Sequence, residues 1–92
     1  AKQLYAAVAF LHQHLIAHRD VKPENIVIDG AGILTLVDYS TAKDFSQENP
    51  LIDAAVGTRD WIAPEVELCF NEHTRKPYCP FRADIWAVGN VL

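Results

Sequence analysis

Two short β-branched runs, Ile26-Val27-Ile28 and Ile33-Leu34-Thr35-Leu36-Val37, flank the tetrapeptide Asp29-Gly30-Ala31-Gly32. Glycine tolerates positive φ, so this arrangement predicts an antiparallel hairpin. The prediction constrains the rest of the chain, because a hairpin brings its two ends together. Asn25 immediately precedes the first run and Asp38 immediately follows the second. An amide oxygen and a carboxylate should therefore converge at the hairpin mouth. Oxygen ligands on a preformed scaffold suit Mg²⁺, which takes its remaining ligands from water and phosphates.

The polar run before the hairpin is His18-Arg19-Asp20-Val21-Lys22-Pro23-Glu24-Asn25. Pro23 lacks an amide hydrogen and steers Lys22 away from helical torsions, which makes this segment a loop. Asp20 lies close enough to the mouth to serve as a base or an orienting acceptor, and Lys22 adds one compensating positive charge. The plainer reading of any one of these residues is a solvated turn, but four at this placement weaken it.

Around this centre the chain reads as α+β. Leu4, Val8, Leu11 and Leu15 recur at helical spacing. Lys2, Gln3 and Gln13 fall on the opposite side, and His12 and His14 read as ordinary helix residues. From Asp38 to Pro64 periodicity fades, and a long irregular loop is expected. A second loop spans Asn71 to Pro80. The segment Asp84 to Leu92 is apolar almost all round, the pattern of a helix buried inside something larger. With no capping residue before Ala1 and no cap at the end, the first helix is expected to begin upstream and the chain to be a piece of a longer one.

Composition closes off several classes. Eight basic against twelve acidic residues give a formal charge of −4, unsuited to a nucleic-acid partner. No apolar run is long enough for a membrane helix, and no basic-then-apolar leader is visible. Cys69, His73 and Cys79 make three candidate metal ligands, but a structural zinc site takes four, with a tight cysteine pair that is missing. The two cysteines are read as reduced thiols, and the compartment as cytoplasmic or nuclear.

The polar run resembles the catalytic loop H-R-D-x-x-x-x-N of the protein kinase family. Asp38-Tyr39-Ser40 occupies the slot of the D-F-G triplet, and Ala63-Pro64-Glu65 matches A-P-E in full. Asp84, Trp86 and Gly89 resemble the D-x-W-x-x-G pattern of the large lobe's central helix. The resemblance covers essentially residues 1–92. It implies a partial C-lobe with a kinase-like fold: helix, catalytic loop, hairpin, activation segment and the start of the central helix.

By this resemblance Asp20 is the base, Lys22 reaches the transferring phosphate, and Asn25 and Asp38 hold Mg²⁺ against the phosphates of ATP. Val27 and Val37 line the adenine pocket. Lys22 and the Gly57-Thr58 pair indicate the serine/threonine subtype, with Thr58 meeting Asp20 and Lys22 and a protein hydroxyl as acceptor. His18 and Tyr39 pack together in the lobe's interior, Asp84 accepts hydrogen bonds from the catalytic-loop backbone, and Glu65, whose family partner is an arginine further along the lobe, is expected to be unpaired in this chain. Arg19 is the residue that, in phosphorylation-activated members, pairs with a phosphate on the activation segment. No Ser, Thr or Tyr lies between Gln47 and Gly57, so Asp53 is expected to stand in for that phosphate. Modification of Ser46, or no switch at all, is the alternative.

The departures are Ser40 for glycine, where a Cβ narrows the torsions that let the aspartate swing, Tyr39 for phenylalanine, and a long segment between Glu65 and Asp84. The Gly-rich loop, strand lysine and partner glutamate of the small lobe are not in these 92 residues, so the isolated chain is expected to show no turnover. The rival readings are a pseudokinase scaffold and a small-molecule kinase, and Arg19 and Glu65 count against the latter.

Overall fold

A computed structural model describes residues 2–91. Helix α1 runs Lys2–Gln13, strand β1 Ile16–Ala17, and a 3₁₀ turn Pro23–Asn25 leads into β2, Ile26–Ile28. Then follow β3 (Leu34–Leu36), β4 (Lys43–Asp44), the short helix α2 (Pro64–Glu67), a 3₁₀ turn Leu68–Phe70 and helix α3 (Pro80–Val91). The α+β reading holds. Whether α1 starts before Lys2 lies outside the described residues.

The apolar stripe of α1 buries Leu4, Val8 and Leu11. Leu15 does not extend that helix: it sits beyond its end with φ 59°, turning the chain into β1. Together with Val21, Leu36, Ala87 and Val88, the stripe forms the larger core, which packs α1 against α3 and the hairpin. A smaller core gathers Ala63, Val66, Cys69, Tyr78 and Ala83 beneath α2.

The hairpin forms in the expected place, with Ile26 opposite Leu36 and Ile28 opposite Leu34. Its second strand is shorter than the apolar run, but Val37 N still donates to Asn25 O at 2.8 Å and carries the pairing to the mouth. At the turn Asp29 Oδ1 accepts from the amides of Ala31 and Ile33, and Gly32 takes φ 80°. Gln3, assigned to the solvent side of α1, in fact grips this turn. Its Nε2 donates to Gly32 O at 2.7 Å and its Oε1 accepts from Leu34 N at 2.8 Å.

The segment after Asp38 is less irregular than expected. Its β4 pairs antiparallel with β1, Ile16 opposite Asp44. Two residues per strand are too few for a periodic signal, which is why neither strand is visible in the sequence. Helix α3 begins four residues earlier than its apolar pattern, at Pro80, whose missing amide hydrogen is harmless in a first turn. Within these residues α3 is not buried all round: Ile85 and Trp86 are exposed.

The loop 71–79 is tied to the irregular segment. Tyr78 and Ile52 exchange backbone hydrogen bonds of 2.7 and 2.9 Å, and Tyr78 Oη donates to Ala54 O at 2.6 Å. Burial favours the neutral phenol and pushes its pKa up to about 12. Because the folded value lies above the unfolded one of about 10, the contribution of Tyr78 to stability is full below pH 10 and is lost as pH rises towards 12. In an ultraviolet phenolate titration of the full-length protein, Tyr78→Phe should remove one tyrosine that ionises only near pH 12.

Candidate active site

Asp84, on the first turns of α3, anchors the loop that follows β1. It is only 2% exposed, yet its carboxylate is fully engaged. Oδ2 accepts from His18 N at 2.8 Å and Oδ1 from Arg19 N at 2.9 Å. This matches the expectation from sequence. What the sequence did not reveal is a third donor, His12 Nε2, 2.9 Å from Oδ2 and stacked near Phe81. His12 belongs to the loop's support, and nothing in a single sequence separates it from an ordinary helix histidine.

Held this way, the loop carries Arg19 at φ 72°, a conformation that non-glycine residues adopt only under constraint. The Arg19 carbonyl then points at Gly57. A Cβ on Gly57 would lie 2.8 Å from that oxygen and 2.6 Å from Ile62 Cγ2, and Gly57 itself has φ 110°. Only glycine fits there. The close pass sets Thr58 beside the loop.

Asp20, Lys22 and Thr58 meet as predicted. Asp20 Oδ1 accepts from Thr58 Oγ1 at 2.9 Å and Thr58 N at 3.1 Å. Lys22 Nζ donates to Thr58 Oγ1 at 2.7 Å and lies 3.7 Å from Asp20 Oδ2. Asn25, only 5% exposed, spends its Nδ2 on the carbonyl of Asp20 at 2.8 Å, with a longer contact to Asp20 Oδ2 at 3.4 Å. Among the described residues no donor reaches Asn25 Oδ1, which leaves that oxygen for another partner.

Asp38 stands at the other side of the mouth, exposed, with φ 60°. Its Oδ1 accepts from Ser40 Oγ at 2.7 Å and Ser40 N at 3.2 Å. These two bonds, the hydroxyl first, hold its pKa below the ordinary carboxylate value. An aspartate bonding the amide two residues on is a common turn form, so this contact carries a local signal in the sequence. An amide oxygen and an ionised carboxylate at one hairpin end form a donor set that fits Mg²⁺.

His18, fully buried, locks both ends of the assembly. Its Nδ1 accepts from Asp20 N at 3.2 Å, so Nε2 carries the proton and donates to Val37 O at 3.0 Å. Tyr39 packs edge-on at 5.2 Å, but it lies at the surface and not in the interior where the resemblance put it, since only its ring edge meets His18. Thr41, to which the sequence assigns no site role, closes the underside: its hydroxyl donates to His18 O and its carbonyl accepts from Arg19 Nε at 2.7 Å.

The remaining candidates are scattered. Val27 is exposed and Val37 half-buried, at neighbouring positions of the hairpin. Asp53 is exposed and makes no ion pair with Arg19 among the described residues. Glu65 likewise has no ion pair there, whereas Arg59 pairs with Glu67 at 2.6 Å and covers the Phe70 ring. Cys69 is buried, Cys79 is half-buried, and both are free thiols. No group of three metal-ligating His, Cys, Asp or Glu side chains occurs among the described residues, and no helix there is long and apolar enough to cross a membrane.

The model of the protein kinase domain matches residues 1–92. The chain is 40% identical over 89 residues to the citron rho-interacting kinase of Rattus norvegicus, covering 97% of this chain and 4% of that protein. It is 37% identical over 93 residues to CBL-interacting serine/threonine-protein kinase 15 of Arabidopsis thaliana, covering 99% of this chain and 21% of that protein. Against serine/threonine-protein kinase PSK2 of Saccharomyces cerevisiae it is 40% identical over 91 residues, 99% of this chain and 8% of that protein. The chain thus spans a small part, 4% to 21%, of these relatives' length.

In the full-length protein, Asp84→Ala should orphan the His18 and Arg19 amides, at about 1–3 kcal/mol for each buried unpaired group. Urea denaturation should register the loss as a lower midpoint with an unchanged slope.

Proposed function

The chain belongs to the protein kinase domain family, and from that premise we propose that it is part of the large lobe of a serine/threonine protein kinase. The parent enzyme transfers the γ-phosphoryl group of ATP to a Ser or Thr hydroxyl of a protein, in the cytosol or nucleus. The observation that carries this reading is the meeting of Asp20, Lys22 and Thr58 across a sequence separation of up to 38 residues.

In this reading Asp20 accepts the proton of the substrate hydroxyl as its oxygen bonds to the γ-phosphorus and the bond from that phosphorus to the departing ADP breaks. Thr58 occupies Oδ1 of Asp20 with two donors, which fixes the carboxylate plane; Oδ2, with only longer contacts to Asn25 Nδ2 at 3.4 Å and Lys22 Nζ at 3.7 Å, takes the substrate proton. Lys22 reaches the phosphoryl group in transit. Asn25 Oδ1 and the Asp38 carboxylate hold Mg²⁺, and Val27 and Val37 contact the adenine. Bound Mg²⁺ would neutralise charge on the phosphates as transfer proceeds. Most of the acceleration belongs to positioning and electrostatics, since phosphoryl transfer asks little covalent work of the protein.

Asp20→Asn in the full-length protein should lower phosphorylation of a Ser/Thr peptide by about 10²–10⁴-fold and leave ATP binding in place. Wild-type protein that binds ATP and Mg²⁺ but transfers no phosphate would instead identify a scaffold with the kinase fold. The Asp53 role is tested separately. Asp53→Ala should reduce turnover if its carboxylate replaces a phosphate opposite Arg19, and unchanged turnover removes that role.

A further inference from the structure

Ser40 stands where the family triplet has glycine, and both of its donors converge on one oxygen of Asp38. The backbone bond, Ser40 N to Asp38 Oδ1 at 3.2 Å, is one that glycine would also make. The hydroxyl bond, Ser40 Oγ to the same oxygen at 2.7 Å, is what serine adds. Among the described residues no donor reaches Asp38 Oδ2. We infer that Ser40 is a positioning residue: its hydroxyl fixes the Asp38 carboxylate so that Oδ2 is presented to the divalent cation that accompanies the nucleotide. This rests on the active-site reading above and adds to it a role for a side chain that the family pattern lacks.

An exposed aspartate on one backbone donor keeps much of its freedom about the bond to the carboxylate. Two donors on the same oxygen remove that freedom before any ligand arrives, and a preorganised ligand binds without the ordering loss. Donation also draws charge from the carboxylate, which by itself would weaken it as a ligand. The donors sit on Oδ1 and the cation would meet Oδ2, so orientation outweighs the loss of charge. The contact is also tied to backbone conformation. It closes across Tyr39 while Asp38 holds φ 60°.

The test uses the full-length protein with ATP and Mn²⁺ as the probe, reading free Mn²⁺ by electron paramagnetic resonance. Ser40→Ala keeps the Cβ and removes only the hydroxyl, and it should weaken Mn²⁺ binding by about threefold to tenfold, the weight of one such hydrogen bond. Ser40→Thr restores a hydroxyl and should bind within about twofold of wild type, a difference small against that bond's weight. Ser40→Ala binding as tightly as wild type while Asp38→Asn binds weakly would overturn the Ser40 role and leave the active-site reading standing. Ser40→Thr as weak as Ser40→Ala would also overturn it. Wild-type protein that takes up no Mn²⁺ with ATP overturns both.

Discussion

A single buried carboxylate organises this molecule. Asp84 accepts from two consecutive loop amides and from the His12 ring. A carboxylate at this depth is tolerable only with its lone pairs used, and here charge-assisted bonds use them. Those bonds fix Arg19 in a left-handed turn, which aims its carbonyl at Gly57. The missing side chain at Gly57 lets the segment that carries Thr58 pass close by and seat Thr58 on Asp20. Removing any one link dissolves the next, because each is a geometric condition for its neighbour.

His18 performs the corresponding task between the loop and the hairpin. One ring nitrogen receives the Asp20 amide and the other donates to the Val37 carbonyl. The loop residue proposed as base and the strand end that carries Asp38 are thereby spaced by one rigid imidazole ring. The resemblance implied only packing for this histidine, whereas its hydrogen bonds are what set the spacing.

How much of this the sequence disclosed depended on the range of each interaction. The hairpin was legible because β-branched runs and a glycine turn are local signals. So was the α1 stripe, from Leu4 to Leu11. The motif from His18 to Asn25 was legible through its family resemblance, which implied that Thr58 meets Asp20 and Lys22, and the three side chains do meet. The β1–β4 pair left no trace, since two residues have no period. Gln3 and His12 looked like solvent-facing helix residues, because their partners, the hairpin turn and Asp84, are far along the chain. Ser40 was read for the glycine it replaces, and its hydroxyl was overlooked.

The anchoring bonds of Asp84 span sequence separations of 65, 66 and 72 residues. A ribosome delivers His12, His18 and Arg19 long before it delivers their acceptor. Until α3 emerges, the amides of His18 and Arg19 have only water to bond, and the left-handed turn has nothing to hold it. Nascent-chain assembly of this centre is therefore a late event, set by the arrival of one carboxylate and slowed by the large loop that must close around it.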